Sequence, residues 1–246
     1  MITGAAPAGA DGPDQAARWV WGMFARIAPR YDLLNRLLSF GQDSRWRRSA
    51  AVRVRRWIET PGARALDLCC GTGELLAALW HLRRPAGPRN LLLAGCDFCR
   101  PMLLLARRKL PAAALIEADA LRLPVADGSL DLVTVAFGFR NLADYRGGLA
   151  EMRRVLRPGG AAAILEFSRP TGPLLGPLYA WYARSVLPRL GGWISGHPDA
   201  YRYLPESVSK FPTPPELAEW MREAGFAQVR FELFSGGIVA LHLGIV

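Results

Sequence analysis

Residues 66–76 read LDLCCGTGELL, an apolar run that ends in two glycines two apart, Gly71 and Gly73. A glycine turn after a strand lets a ligand approach the backbone closely, because no Cβ stands in the way. Two common ligands are excluded by what is missing. A phosphate loop requires G-x-x-x-x-G-K-[ST], and this stretch has no lysine. A dinucleotide turn requires a third glycine where this chain has Leu76, and that glycine is what lets helix and strand close around a pyrophosphate. The turn instead carries an acid ahead of it, as Asp67-x-Cys69-x-Gly71-x-Gly73. Two more acids follow, each at the end of an apolar run: Asp97, then Asp119 in Ala118-Asp119-Ala120. Asp97 can accept both hydroxyls of a ribose or cap a helix, and Asp119 can meet a ligand or hold an ordinary turn.

The D-x-x-x-G-x-G arrangement resembles motif one of the S-adenosylmethionine-dependent methyltransferases. The resemblance makes chemical sense. The methionine end of that cofactor carries an ammonium and a carboxylate and no phosphate, so an acid at the turn complements the ammonium. In that fold Asp97 would hold the ribose, and the corner at Asp119 and Ala120 would lie against the adenine, with Asp119 accepting from the exocyclic amine.

Five further strings are more specific: Arg30-Tyr31-Asp32-Leu33-Leu34-Asn35, Phe137-Gly138-Phe139-Arg140-Asn141, Leu165-Glu166-Phe167-Ser168, Tyr201-Arg202-Tyr203-Leu204-Pro205-Glu206-Ser207 and Gly236-Gly237-Ile238-Val239-Ala240-Leu241-His242. Together they resemble the menaquinone and ubiquinone C-methyltransferases of the UbiE/MenG (Coq5-like) family, from about Met23 to Gly244. The resemblance implies methyl transfer to a ring carbon of a polyprenylated quinol, with demethylmenaquinol first and a benzoquinol second. It implies that Thr72, Asp97, Asp119 and Ala120 contact the cofactor. Ala136 stands where relatives often carry serine, Cys69-Cys70 where small residues such as Ala-Gly are common, and Glu74 where aspartate is frequent. Another lipid acceptor, and a non-catalytic scaffold that binds cofactor or quinol, are the rival readings.

A quinol carbon becomes a nucleophile when the neighbouring phenol loses its proton, and the methyl then leaves a cationic sulfonium in line. Charge is annihilated, so no metal is required; alignment, dryness and a proton route are. Arg140 is expected to stabilise the phenolate, since arginine stays protonated, or to pair with an acid such as Glu166. Asn141 is expected to orient the ring oxygen. Tyr31 is either a proton relay or a packed aromatic. His242, among apolar neighbours, reads as a core histidine, and His197 as a loop residue.

The elements must place these residues on one edge. Strands are expected at 64–68, 91–97, 114–118, 131–136 and 161–167, with helices between them at Glu74 to Arg83, Arg100 to Leu110 and Tyr145 to Leu156. That alternation predicts an α/β doubly wound, Rossmann-like class I methyltransferase fold: seven strands, mostly parallel, with an antiparallel last strand. Residues 1–17 read as a loose tail, 18–60 as a helical cap, 61–170 as the cofactor-binding core, 171–215 as an aromatic, proline-rich lid laid over the sheet, and 216–246 as a final helix and hairpin, all in one methyltransferase domain. Arg157-Pro158-Gly159-Gly160 is expected to stop the preceding helix and turn into the fifth strand.

The 246 residues are 51% hydrophobic and 21% charged, enough for a sizeable core. The formal charge of +10 comes almost wholly from arginine, which suits a genomic bias or attraction to an anionic membrane or ligand. The arginines are scattered without a nucleic-acid module, so no nucleic-acid partner is expected. Arg184, Arg189 and Arg202 could meet lipid headgroups beside the lid aromatics. Cys69, Cys70, Cys96 and Cys99 match no common zinc spacing, so they read as packing beside a cofactor, with no metal. With Asp11 and Asp14 and no apolar stretch among the first residues, no signal peptide is expected, and without about 18 consecutive uncharged apolar residues no transmembrane helix is expected. The expected place is the cytoplasm, with the inner face of the membrane as a possible peripheral partner and a homodimer as a possible assembly.

Overall fold

A computed structural model describes residues 4–82 and 91–246. Short runs of small and branched apolar residues form the strands β1 (Arg64–Leu68), β2 (Leu92–Asp97), β3 (Ala114–Glu117), β4 (Leu130–Ala136) and β5 (Leu156–Phe167), which pair in parallel. The last two, β6 (Gln228–Phe234) and β7 (Val239–Ile245), are joined by a tight turn at Ser235–Gly237. β7 inserts antiparallel between β5 and β6, giving the order β3-β2-β1-β4-β5-β7-β6. Strand order reverses between β1 and β4. In open α/β sheets ligands bind at such a switch point, beyond the carboxyl ends of the strands.

Alternate residues feed opposite faces of the sheet. Leu132, Ala163 and Leu165 face α3 (Gln42–Ile58) and α4 (Glu74–Leu82), packing with Val54, Leu76 and Leu79. Leu66, Val133 and Ile164 face α6 (Tyr145–Val155) and α10 (Pro214–Glu223), packing with Leu149, Met152 and Met221. α5 (Arg100–Lys109) follows β2.

A third apolar cluster is separate from the sheet. The N-terminal helices α1 (Pro13–Ile27) and α2 (Tyr31–Leu38) supply Val20, Met23, Ile27 and Leu34. The segment expected as a lid is helical: α7 (Leu175–Trp181), a π-turn, α8 (Leu187–Ser195) and α9 (Pro198–Lys210). It supplies Leu187, Ala200, Tyr201 and Tyr203 to the same cluster. Cap and lid are therefore packed on each other.

Two expectations change. β5 begins at Leu156, not 161: Leu130 pairs with Leu156 and Leu132 with Ala161, so residues 157–160 bulge out inside the ladder and do not separate helix from strand. The tail is tied down where it is described. Ala5 is buried, its N–H donates to the Leu142 carbonyl at 2.7 Å, and Lys210 Nζ reaches the Ala6 carbonyl at 3.0 Å. The helix expected from Glu74 to Arg83 is present from Glu74 to Leu82, and its expected last residue, Arg83, lies outside the described residues.

Candidate active site

The turn after β1 is tightly shaped. Cys69, Gly71 and Gly73 all have positive φ, at 48°, 55° and 83°. Across the switch point, Phe137 at the end of β4 also has positive φ, 60°. Non-glycine residues held there cost about 1–3 kcal/mol each and collect at functional sites. The two strand ends touch: a Cβ on Gly138 would lie 2.3 Å from the Cys69 Cβ. Gly138→Ala must push the strand ends apart. It is expected to lose about 1–3 kcal/mol of stability and to weaken cofactor binding, read by urea unfolding and calorimetry; a variant unchanged in both would show that this contact is slack.

Asp97 braces the same turn. Its Oδ2 accepts from the Gly71 N–H and its Oδ1 from the Cys99 N–H, both at 2.8 Å. Burial raises its carboxyl to about 6, against these backbone donors, which lower it. It caps no helix: the residue flanking α5 is Cys99, without a side-chain cap. Asp67 lies deeper, 1% exposed on β1. Its Oδ1 accepts from Thr134 Oγ1 at 2.6 Å, while Oδ2 is buried with no hydrogen-bond partner among the described residues. Burial pushes it up to about 7, with the Thr134 bond and the charge of Arg47 acting the other way. Such an orphaned oxygen suits a cationic group.

A cleft runs along the strand ends, lined by Gly71, Asp97, Asp119, Ala120, Ala136 and Asn141. A Cβ at Gly71 would meet no protein atom within 4 Å, so the backbone is open there. Asp119 accepts from the Leu121 N–H at 2.9 Å. Three of the residues expected at the cofactor do not line this cleft. Asp67 lies beneath the turn. Gly73 faces Ala106 of α5, 3.3 Å from where its Cβ would stand. Thr72 turns to the cap: its hydroxyl donates to Asp32 Oδ1 at 2.5 Å, and Lys109 Nζ joins Thr72, Asp32 and Glu74.

Beyond Phe137 the cleft meets a cavity of about 560 Å³ between cap, lid and sheet edge. Phe24, Tyr31 and Phe137 line both spaces. Arg140 lines the cavity, 6% exposed. Its Nη1 donates to Glu166 Oε1 at 2.8 Å and to the Phe137 carbonyl at 2.6 Å, and its Nε to Ser207 Oγ at 3.3 Å. Burial alone would lower its pKa, but Glu166 reverses that and the net shift is upward, so it stays charged. The ion pair expected with Glu166 is present, and Arg140 lines the cavity as well. Asn141 Oδ1 accepts from Tyr203 OH at 3.1 Å, which leaves Nδ2 buried without a partner among the described residues.

A comparison with known families matches residues 13–246 to one described as the ubiE/COQ5 methyltransferase family. The chain belongs to that family. A demethylmenaquinone methyltransferase of Thermus thermophilus is 53% identical over 226 residues, covering 90% of this chain and 99% of the relative. One of Deinococcus radiodurans is 48% identical, covering 90% of each. A ubiquinone/menaquinone biosynthesis C-methyltransferase of Syntrophotalea carbinolica is 46% identical, over 90% of this chain and 92% of the relative. Among solved structures, an S-adenosylmethionine-dependent methyltransferase of Thermotoga maritima, described as a possible histamine N-methyltransferase, gives a TM-score of 0.61 at 18% identity, covering 92% of this chain and 99% of that one. The cyclase SpnF gives 0.62 at 17% identity, over 96% and 79%. These likenesses show the class I methyltransferase fold, and SpnF shows that the fold by itself does not fix the reaction.

In this member of the ubiE/COQ5 family the four cysteines are free, and burial raises every thiol, Cys96 to about 12 and Cys99 to about 11. They stay protonated and serve as small apolar packing. His242 is 1% exposed on β7, 2.9 Å from the Pro214 carbonyl, and burial lowers it to about 4: a core histidine outside both spaces. His197 immediately precedes α9. The reading from sequence missed Arg47, and it carried Phe167, Tyr179 and Tyr203 only as members of a string or of the aromatic lid, without telling which of them line the cavity. The signals existed, as aromatics in the Leu165–Ser168 and Tyr201–Ser207 strings, but no spacing told which would face inward.

Proposed function

We propose that the protein transfers a methyl group from S-adenosylmethionine to a ring carbon of demethylmenaquinol, with the cofactor in the cleft and the prenylated ring in the cavity. One observation carries this reading: a cleft holding a braced carboxylate shares Phe24, Tyr31 and Phe137 with a large aromatic chamber, with Asn141 on the wall of the cleft and Arg140 on the wall of the chamber. When bound, the cofactor supplies an electrophilic methyl on a sulfonium. Asp97 would accept from the ribose hydroxyls, Asp119 and Ala120 would hold the adenine, and Asp67, buried beneath the glycine turn, would complement the ammonium of the methionine end, with Thr72 supporting the same turn. Arg140 cannot serve as a base and stabilises the phenolate that forms when the ring hydroxyl loses its proton. Asn141, its oxygen held by Tyr203, has its Nδ2 to offer. Tyr31, on the wall of both spaces, is the phenol that would relay the proton. The acceptor carbon would bond to the methyl as the methyl–sulfur bond breaks and leaves its electron pair on sulfur, and would then shed its hydrogen as a proton to restore the aromatic ring.

The test is turnover of demethylmenaquinol with isotopically labelled methyl donor, beside a prenylated benzoquinol and a phospholipid acceptor. Label in menaquinol above all supports the reading. Label in another lipid moves the substrate, and none in any lipid leaves a binding scaffold.

We further propose that the mouth of the cavity rests on a membrane. No described helix is long and apolar enough to cross one. At the cavity rim, however, Phe40 is 79% and Trp181 59% exposed, and Leu174 and Trp193 are exposed on the same lid, with Arg184, Arg189 and Arg202 at the surface nearby. Exposed rings beside cations suit an anionic interface. Leu174→Ser with Trp193→Ser is expected to cut sedimentation with phosphatidylglycerol vesicles about tenfold; equal binding by the variant would remove the lid from the interface.

A further inference from the structure

Among the described residues, three charged side chains line the cavity: Arg140, and the pair Asp43 and Arg47 at the start of α3. Arg47 Nη1 donates to Asp43 Oδ2 at 2.7 Å, with the two side chains 7% and 9% exposed. Asp43 is braced in turn by Ser39 Oγ at 3.1 Å. An ion pair buried in an apolar wall is a poor device for stability, since a hydrophobic pair of similar volume serves as well or better. The bond to Asp43 is the one hydrogen bond the Arg47 guanidinium makes among the described residues. A guanidinium offers five donors in a planar fork, so most of this one is uncommitted.

Its position is specific. The guanidinium carbon lies over the Phe137 ring, 4.9 Å from the centroid; Phe137 and Phe167 are 4.6 Å apart; and Arg140 stands over Phe167 at 5.3 Å. Each ring of an aromatic pair thus has its own guanidinium over it, and each guanidinium is tied to its own buried carboxylate.

We propose that Arg47 binds the acceptor's second ring oxygen, the one remote from the methylated carbon, while Arg140 holds the oxygen adjacent to it. The inference rests on the quinol reading above. A para-diol carries oxygens at opposite ends of a flat ring, and two guanidinium groups, one over each ring of the aromatic pair in the same cavity, offer a separate donor fork to each oxygen. Asp43 is then a positioning residue that keeps the fork in plane. Arg47 also acts electrostatically on Asp67, beneath the glycine turn. The rival anion is therefore the cofactor's own carboxylate, and the experiment must tell the two apart.

Arg47→Met is compared with Asp43→Asn/Arg47→Met, which avoids stranding a buried carboxylate, on prenylated 1,4-naphthalenediol and on the analogue lacking the remote hydroxyl. The wild type is expected to lose about 10- to 100-fold in kcat/KM on the analogue. Each variant is expected to lose a similar factor on the diol and less than about twofold more on the analogue, with S-adenosylhomocysteine affinity unchanged. An equal penalty on both acceptors overturns the proposal. So does a drop in S-adenosylhomocysteine affinity that accounts for the whole effect, which would put the fork on the cofactor carboxylate. If wild-type protein binds S-adenosylhomocysteine yet methylates neither ring, the quinol reading itself has failed, and this inference fails with it.

Discussion

Arg140→Ala is expected to slow methyl transfer by about 100- to 1000-fold, the usual loss when one preorganised donor to a developing oxyanion is removed. It is also expected to destabilise the fold by about 3–5 kcal/mol, because Glu166, 1% exposed, is left as an uncompensated buried charge. The two effects must be separated. Glu166 also accepts from the backbone N–H groups of Arg140 and Phe167, at 3.2 and 2.8 Å, and glutamine in its place can keep an acceptor there without the charge. Arg140→Ala/Glu166→Gln should therefore recover most of the stability and none of the turnover, with cofactor affinity near that of the wild type. Turnover is followed with labelled methyl donor, stability by urea unfolding. A double variant that turns over normally would reduce Arg140 to a structural ion pair and move the stabilisation of the phenolate elsewhere.

The fold was legible because its signals are local. Apolar runs such as Leu132–Val135 and Ala161–Leu165 alternate with helices, and the Ser235–Gly237 turn is too short for anything but an antiparallel pair. Asp97 and the glycine turn were legible for the same reason: each closes a strand, and strand ends converge on the switch point. Thr72 shows the limit. Its position in the motif suggests a cofactor contact, yet its hydroxyl binds Asp32, forty residues away on the cap. The Tyr203–Asn141 bond spans 62 residues, and the tail's tie to Leu142 joins the chain's start to the β4 end. Such pairings depend on how cap and lid pack, which no periodicity reveals. Arg47 was hidden differently. It stands in a run of arginines on α3, Arg45, Arg47 and Arg48, and helical geometry turns one of them inward beside Asp43, four residues earlier.

Asp97→Ala is expected to weaken S-adenosylmethionine binding by about 2–4 kcal/mol, from lost charge-assisted bonds to the ribose and from a glycine turn no longer pinned at Gly71 and Cys99. The same carboxyl predicts a pH dependence. In the unfolded chain it titrates near ~3.9, whereas in the fold burial holds its proton up to about 6. The native state thus binds more protons across that window. The group's contribution to stability is complete below about pH 4 and is lost as pH rises through 6, about 3 kcal/mol in all. Asp67, raised to about 7, acts in the same sense, and His242, lowered to about 4, in the opposite one, so the effect is read as the difference between wild type and Asp97→Asn. Cofactor binding runs the other way. A bound cation and ribose donors favour the ionised carboxylate, so affinity should climb between about pH 5 and 7 and level off above, with proton release on binding near pH 6. Calorimetry in buffers of different ionisation enthalpy measures that release, and Asp97→Asn should flatten the profile. An affinity independent of pH in the wild type would place the ribose away from Asp97.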